Sequence, residues 1–163
     1  KAMNARWVWA LIGATTTADQ LTKAAALSLL SQGNSVAVLP GLDLTLGFNE
    51  GVSFGLFSDL MAGKPLVMAA LTGTLTVVLA IMAFRARHPV EQIGFSLIVG
   101  GALGNVVDRL RQGAVTDFID LSFQGWRWPT FNTADIAITF GALFIVFATF
   151  ASHRSKDTVV DQS

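Results

Sequence analysis

The chain has 163 residues, 52% hydrophobic and 13% charged, with 11 acidic and 11 basic side chains and a mean hydropathy of +0.56. Soluble domains carry about 25% charged residues, so this composition suits a surface facing lipid, and zero net charge offers no basic field for nucleic acid. Cysteine is absent and the two histidines, His88 and His153, stand apart in polar segments, which excludes disulfides and thiol chemistry and argues against a metal site or other cofactor.

The first apolar stretch, Trp7 to Leu30, is interrupted by Thr15, Thr16, Thr17, Asp19, Gln20 and Lys23. Its length, the embedded Asp19 and the lack of a small-residue cleavage pattern set it apart from a cleavable signal peptide. Read as a membrane helix, it must turn those polar groups toward a protein interior. Asp19 and Lys23, at i and i+4, are spaced either for an incidental intrahelical ion pair or for a functional role. Asp19 also lies about 18 Å along the helix from Trp7, a depth that favours an interior structural or site-supporting role.

Next come Val36-Ala-Val-Leu-Pro and Leu42-Asp-Leu-Thr-Leu-Gly-Phe, strand-like and separated by Pro40-Gly41. They predict a small antiparallel sheet within an outer region of about residues 36–58. The segment from Phe48 to Phe57 mixes Gly51 and Gly55 with Phe54, Leu56 and Phe57, and carries Asn49. A mobile cover over a water-dependent site and a simple interfacial anchor both fit that mixture.

Pro65 to Phe84 is uncharged over 20 residues, the length that crosses a ~30 Å hydrocarbon core. A third span runs over about 93–109. Gly100 and Gly104, with Gly101, suit close helix packing there. Asn105, Asp108 and Arg109 follow at i, i+3 and i+4 on one face, as a polar site or as a helix end snorkelling into headgroups. Asp117 stands in Val115-Thr-Asp-Phe-Ile-Asp, and Asp135 in Phe131-Asn-Thr-Ala-Asp, where a fourth span of about 134–151 begins. Asn132 with Asp135 three residues on resembles a helix cap with an acidic third position. Capping leaves Asp117 unexplained. Spans three and four are antiparallel and joined by one short loop, so the two carboxylates converge at one membrane–water boundary. Such a pair shares a proton: one member takes a proton from water, while the other polarises a carbonyl and protonates the leaving amine.

Lys1 and Arg6 precede the first span, Arg85 and Arg87 follow the second, and Arg154 and Lys156 follow the fourth. The positive-inside rule makes these regions cytoplasmic. Both termini are then inside, and the loops holding Trp126, Trp128 and the aspartates are outside. Residues 1–152 read as one membrane-embedded domain, and 153–163 as a polar tail.

Five elements in order resemble the signal peptidase II family. They are Asp19-Gln20-x-x-Lys23, Asn49-x-Gly51-x-x-Phe54, the run Gly100-Gly101-x-x-Gly104-Asn105-x-x-Asp108-Arg109, Val115-x-Asp117-Phe118, and Phe131-Asn132-x-Ala134-Asp135. Each is weak alone; together they span nearly the whole chain. The resemblance implies a bacterial inner-membrane aspartyl endopeptidase that removes the signal peptide before a diacylglyceryl-modified cysteine. It implies four membrane helices, a periplasmic β-cradle, a short outer helix and sensitivity to the cyclic peptide globomycin. By matching position, Asp117 and Asp135 are the catalytic pair. Asp19, Lys23, Asn49, Gly51, Phe54, Asn105, Asp108, Arg109 and Asn132 form the surrounding shell. A non-enzymatic four-helix carrier using intramembrane carboxylates is the competing reading, although carriers favour midplane carboxylates in repeated halves. A purely structural membrane subunit is a third.

Overall fold

The computed structural model describes residues 2–51 and 64–160, with side chains up to Ala151. Phe54 and the rest of the expected outer segment from residue 52 lie outside the described residues. The order of elements is α1 (Ala5–Leu29), β1 (Ser35–Leu39), β2 (Leu42–Asn49), α2 (Pro65–Arg85), α3 (Pro89–Gln112), β3 (Val115–Phe123), β4 (Trp126–Arg127) and α4 (Thr133–Val160).

Three of these helices, α2, α3 and α4 up to Ala151, are long and apolar enough to cross a membrane. Their surfaces fit that role. Along α2 only Ala69, Thr76 and Ala83 are buried, a narrow stripe of small side chains at intervals of seven. Leu66, Leu71, Leu75, Val78 and Ile81 point outward. On α4 the residues Ile136, Phe140, Leu143, Phe147 and Phe150 form a similar outward stripe, which follows the helical period. In water these faces would be a severe liability; in lipid they cost nothing.

Helix α1 falls short of the same hydropathy because its inward face is polar. Its buried residues are Val8, Ile12, Asp19, Lys23 and Ala26, all on one side. The lower half packs Val8 and Ile12 with Ala83, Phe95 and Val99 in an apolar cluster. The upper half carries the charges.

Helix α3 is the central element, with more than half of its span buried. It starts earlier than the hydropathy predicted because Gln92 is also turned inward, where its Oε1 accepts the Met3 N–H. Glycines allow α3 to touch its neighbours on two faces. A Cβ on Gly100 would meet the Thr15 Cβ at 2.6 Å and the Ile12 carbonyl at 2.9 Å, both on α1. One on Gly101 would meet the Ala134 carbonyl of α4 at 2.6 Å. The expected packing run therefore serves two partners.

The sheet has the order β1-β2-β3-β4, antiparallel throughout. The β1–β2 hairpin was legible in the sequence. β3 was not, because the segment 110–131 read as a loop; its apolar alternation, Val115, Ile119, Leu121 and Phe123, is interrupted by Asp117. Gly41 turns the first hairpin at φ 84°, where its carbonyl accepts the Ser122 N–H at 2.9 Å. The short outer helix implied by the resemblance is not among the elements of the described residues. Helix α4 continues to Val160, through most of the segment read as a polar tail.

Candidate active site

Three local features bring the two aspartates together. The α3 helix ends at Gly113 and leads directly into β3, so Asp117 enters the sheet beside the helix ends. A register shift between β2 and β3, from Leu44 to Gly47, places Gly47 opposite Asp117; such irregularities re-aim side chains. Phe131 then bridges Ile119 through hydrogen bonds of 2.9 and 3.1 Å, which delivers the start of α4 to the same point.

Asn132 is the joint. It is fully buried and caps α4 by accepting the Asp135 N–H on its Oδ1 at 3.1 Å. Its own N–H donates to Asp135 Oδ2 at 3.1 Å. The cap expected from the sequence is thus present as a reciprocal pair. The remaining amide group, Nδ2, donates to Asp117 Oδ1 at 2.6 Å. One asparagine holds both carboxylates, so capping and site-building are the same interaction rather than rival explanations.

Asp117 is 3% exposed. Burial pushes its pKa from the usual carboxylate range up to about 6; hydrogen bonding by Asn132 opposes that rise, and the neighbouring Asp135 charge adds to it. Weaker opposition comes from the Asn49 side chain and from the Lys23 charge. Asn49 ends β2, and its Oδ1 also accepts the Gly51 N–H at 2.9 Å. Gly51 adopts a φ of 97°, a left-handed turn that favours glycine. Phe54, the third residue of that motif, lies outside the described residues.

Behind the pair is a buried ionic cluster. Lys23 Nζ lies 2.9 Å from Asp19 Oδ2 and 2.9 Å from Asp108 Oδ2, and donates to Asn105 Oδ1 at 2.8 Å. Asn105 Nδ2 reaches Asp135 Oδ1 at 3.4 Å. Asp108 Oδ2 accepts the Thr116 N–H at 3.0 Å, fixing the start of β3 to the end of α3. Arg109 stands within electrostatic reach of Asp117, Asp135 and Asp108. Its Nε is buried and has no hydrogen-bond partner among the described residues.

Every expected site residue that is described lies in this one region. Three contributors were absent from the expected shell. Gln20 donates to Asp108 Oδ1 at 2.9 Å and to the Gly104 carbonyl at 3.2 Å; its place in the first motif was a usable signal. Thr133 donates to Asp19 Oδ1 at 3.0 Å and Thr116 supplies the N–H for Asp108, contacts that only the packing of distant segments creates. Farther along β3, Asp120 is buried and pairs with Arg127 at 3.2 Å.

The family model described as Signal peptidase (SPase) II matches residues 11–151. The chain belongs to the signal peptidase II family. Among its relatives are the lipoprotein signal peptidases of Yersinia pseudotuberculosis serotype O:1b (strain IP 31758) and Yersinia pestis (strain Pestoides F). Each is 35% identical over 94% of this chain and 92% of its own length. Two solved structures, both of a bacterial membrane enzyme obtained by the in meso method, share the fold of this chain. One, at 2.3 Å resolution, superposes with a TM-score of 0.81 at 29% identity, covering 96% of this chain and 94% of its own. The other, at 1.9 Å resolution, gives 0.78 at 29% identity, covering 91% and 96%. With three apolar helices and these neighbours, this signal peptidase II family member is a multi-pass membrane protein.

Proposed function

We propose that this chain removes the signal peptide from diacylglyceryl-modified prolipoproteins, using Asp117 and Asp135 to activate water at the periplasmic face of the bacterial inner membrane. The observation that carries the reading is the junction at Asn132, which binds Asp117 through its side chain and Asp135 through its backbone. Two carboxylates held by one residue in this way tend to share a proton. The ionised member takes a proton from water, whose oxygen attacks the scissile carbonyl carbon. The protonated member donates to the carbonyl oxygen as the tetrahedral intermediate forms. As the C–N bond breaks, the aspartate that took the water proton gives it to the leaving amine and a hydroxyl proton of the intermediate returns to the other aspartate, releasing the signal peptide as an acid. Arg109, within electrostatic reach of both aspartates, stabilises the negative charge that the pair carries through these steps.

Entry from the membrane is supported by a groove of about 320 Å³ lined by Leu121, Trp128, Phe131, Asp135, Ile136, Thr139 and Phe140. Its polar end is Asp135, and its apolar end merges with the lipid-facing stripe of α4. That gradient suits a substrate whose peptide bond must reach the carboxylates while its acyl chains stay in lipid. The four-span topology belongs to the same reading: α1, 25 residues long, reaches about 37 Å and completes the bundle with both termini cytoplasmic. Midplane carboxylates would favour a carrier, whereas Asp117 lies on a strand and Asp135 in the first turn of α4. The deciding experiment incubates the purified chain with a lipid-modified precursor peptide. Release of an intact signal peptide, blocked by globomycin, supports the proposal; an unchanged precursor overturns it.

A further inference from the structure

Lys23 is 2% exposed and carries three N–H donors and no acceptor. Three acceptors surround it: Asp19 Oδ2, Asp108 Oδ2 and Asn105 Oδ1. Every donor is used. The two carboxylates settle its charge, whereas the third contact acts on a neutral group and sets its direction. Since an ammonium only donates, the Asn105 atom facing it must be the carbonyl oxygen. The amide nitrogen is therefore turned away from Lys23, toward Asp135 Oδ1. Asn132 Nδ2, 3.5 Å from the same Asn105 oxygen, favours the same orientation. Asp135 Oδ2 meanwhile faces the Asn132 N–H. Both oxygens of Asp135 thus meet N–H donors, each of which stabilises its negative charge against the effect of burial.

We infer that Lys23 is a positioning residue: by fixing the orientation of Asn105, it keeps an N–H donor on Asp135 and so supports that carboxylate as the water-activating base. The inference rests on the proposed aspartate pair and adds a residue that acts on it through Asn105. Its chain of contacts runs from α1 through α3 to the first turn of α4, three elements joined only by packing. The charged groups facing Asp135 are Asp19 and Lys23 from α1, Arg109 from α3 and Asp117 from β3.

The test compares pH–rate profiles for cleavage of a lipid-modified precursor peptide by the full chain in detergent. The variants are Lys23→Met, Asn105→Leu, the double variant and Asp135→Asn. Loss of one N–H donor to Asp135 is expected to lower kcat about tenfold with little change in KM. The acidic limb of the kcat profile moves up by about one pH unit. The double variant is expected to be no worse than the poorer single, because both substitutions break one link. Asn105→Leu leaves Lys23 between Asp19 and Asp108, so it decides the matter if Lys23→Met does not fold. A folded Asn105→Leu protein with an unmoved acidic limb overturns the inference, as do additive losses in the double variant. Turnover by Asp135→Asn instead removes the aspartate pair itself. An inactive Asp135→Asn with an unmoved limb in Asn105→Leu rejects only the role of Lys23.

Discussion

Asp19 Oδ1 accepts the backbone N–H of Ala134 at 2.9 Å, although the two residues are 115 positions apart. A carboxylate of α1 thus caps the first turn of α4, where the exposed N–H groups and the helix dipole favour negative charge. The same oxygen takes the Thr133 hydroxyl, and the other oxygen meets Lys23. Asp19→Ala is expected to leave a buried lysine short of a partner and the Ala134 N–H at the helix start without its acceptor. The cost should be about 3 kcal/mol or more, read as a lower thermal midpoint in detergent together with loss of cleavage. Asp19→Asn keeps an oxygen acceptor for Ala134 and should lie between wild type and Asp19→Ala.

Asp117→Asn and Asp135→Asn should each reduce cleavage at least about a hundredfold. Both replacements are nearly isosteric, so folding should persist. Asp135→Asn keeps an oxygen able to accept from Asn132 but loses charge at the helix start, and its midpoint should fall slightly. Turnover near wild type in either variant would place the chemistry elsewhere.

Asp117 also gives stability a pH dependence of predictable sign. Its folded pKa of about 6 lies above the model-compound value of 3.8, so between those values the folded state binds more proton than the unfolded state. The contribution of Asp117 to stability therefore falls as pH rises from about 4 to about 6, and the full penalty remains above that window. Asp117→Asn removes this penalty. Thermal midpoints measured from pH 4 to pH 8 should show the variant gaining on wild type up to about pH 6 and holding a constant lead above it. A lead that is already constant at pH 4 contradicts the assigned shift.

The helices were legible because lipid imposes a simple pattern: α2 is an uninterrupted apolar run and begins and ends within a residue of its expected bounds. Asp19 and Lys23 were legible as inward-facing because charges deep in an apolar segment need protein partners. What the sequence hid was pairing between distant segments. β3 read as a loop because Asp117 interrupts the apolar set Val115, Ile119, Leu121 and Phe123, and Phe118 stands in the polar set. The double service of Asn132, as cap and as ligand of Asp117, needed the Phe131–Ile119 bridge to become visible. Likewise the glycines at 100 and 101 are adjacent in sequence yet face different helices, a distinction that depends on where α1 and α4 lie around α3.

Topology is open to a direct labelling experiment. Single cysteines replacing His88, between α2 and α3, and Gln124, at the β3–β4 turn, face opposite sides in the four-span arrangement. A membrane-impermeant thiol reagent applied to intact cells, after permeabilising the outer membrane, should label position 124 alone. Opening the inner membrane should expose position 88. Labelling of both in intact inner membranes contradicts that arrangement.

The close crossing of α3 and α4 gives the final prediction. A Cβ on Gly94 would stand 2.7 Å from the Gly141 carbonyl, and one on Gly141 would stand 2.5 Å from the Gly94 carbonyl. Backbone oxygen cannot yield as a flexible side chain does, so either methyl forces the helices apart. Helix association in lipid depends on such close packing. Gly94→Ala and Gly141→Ala should therefore lower the thermal midpoint clearly. Gly73 on α2 has nothing within 4 Å of its Cβ position, and alanine is the better helix former by about 1 kcal/mol. Gly73→Ala should be neutral or slightly stabilising. Gly101→Ala presses on the Ala134 carbonyl, one residue before Asp135, and should reduce cleavage by more than its effect on the midpoint suggests. Equal midpoints for the variants at positions 73 and 94 would show that this crossing tolerates separation and contributes little to the fold.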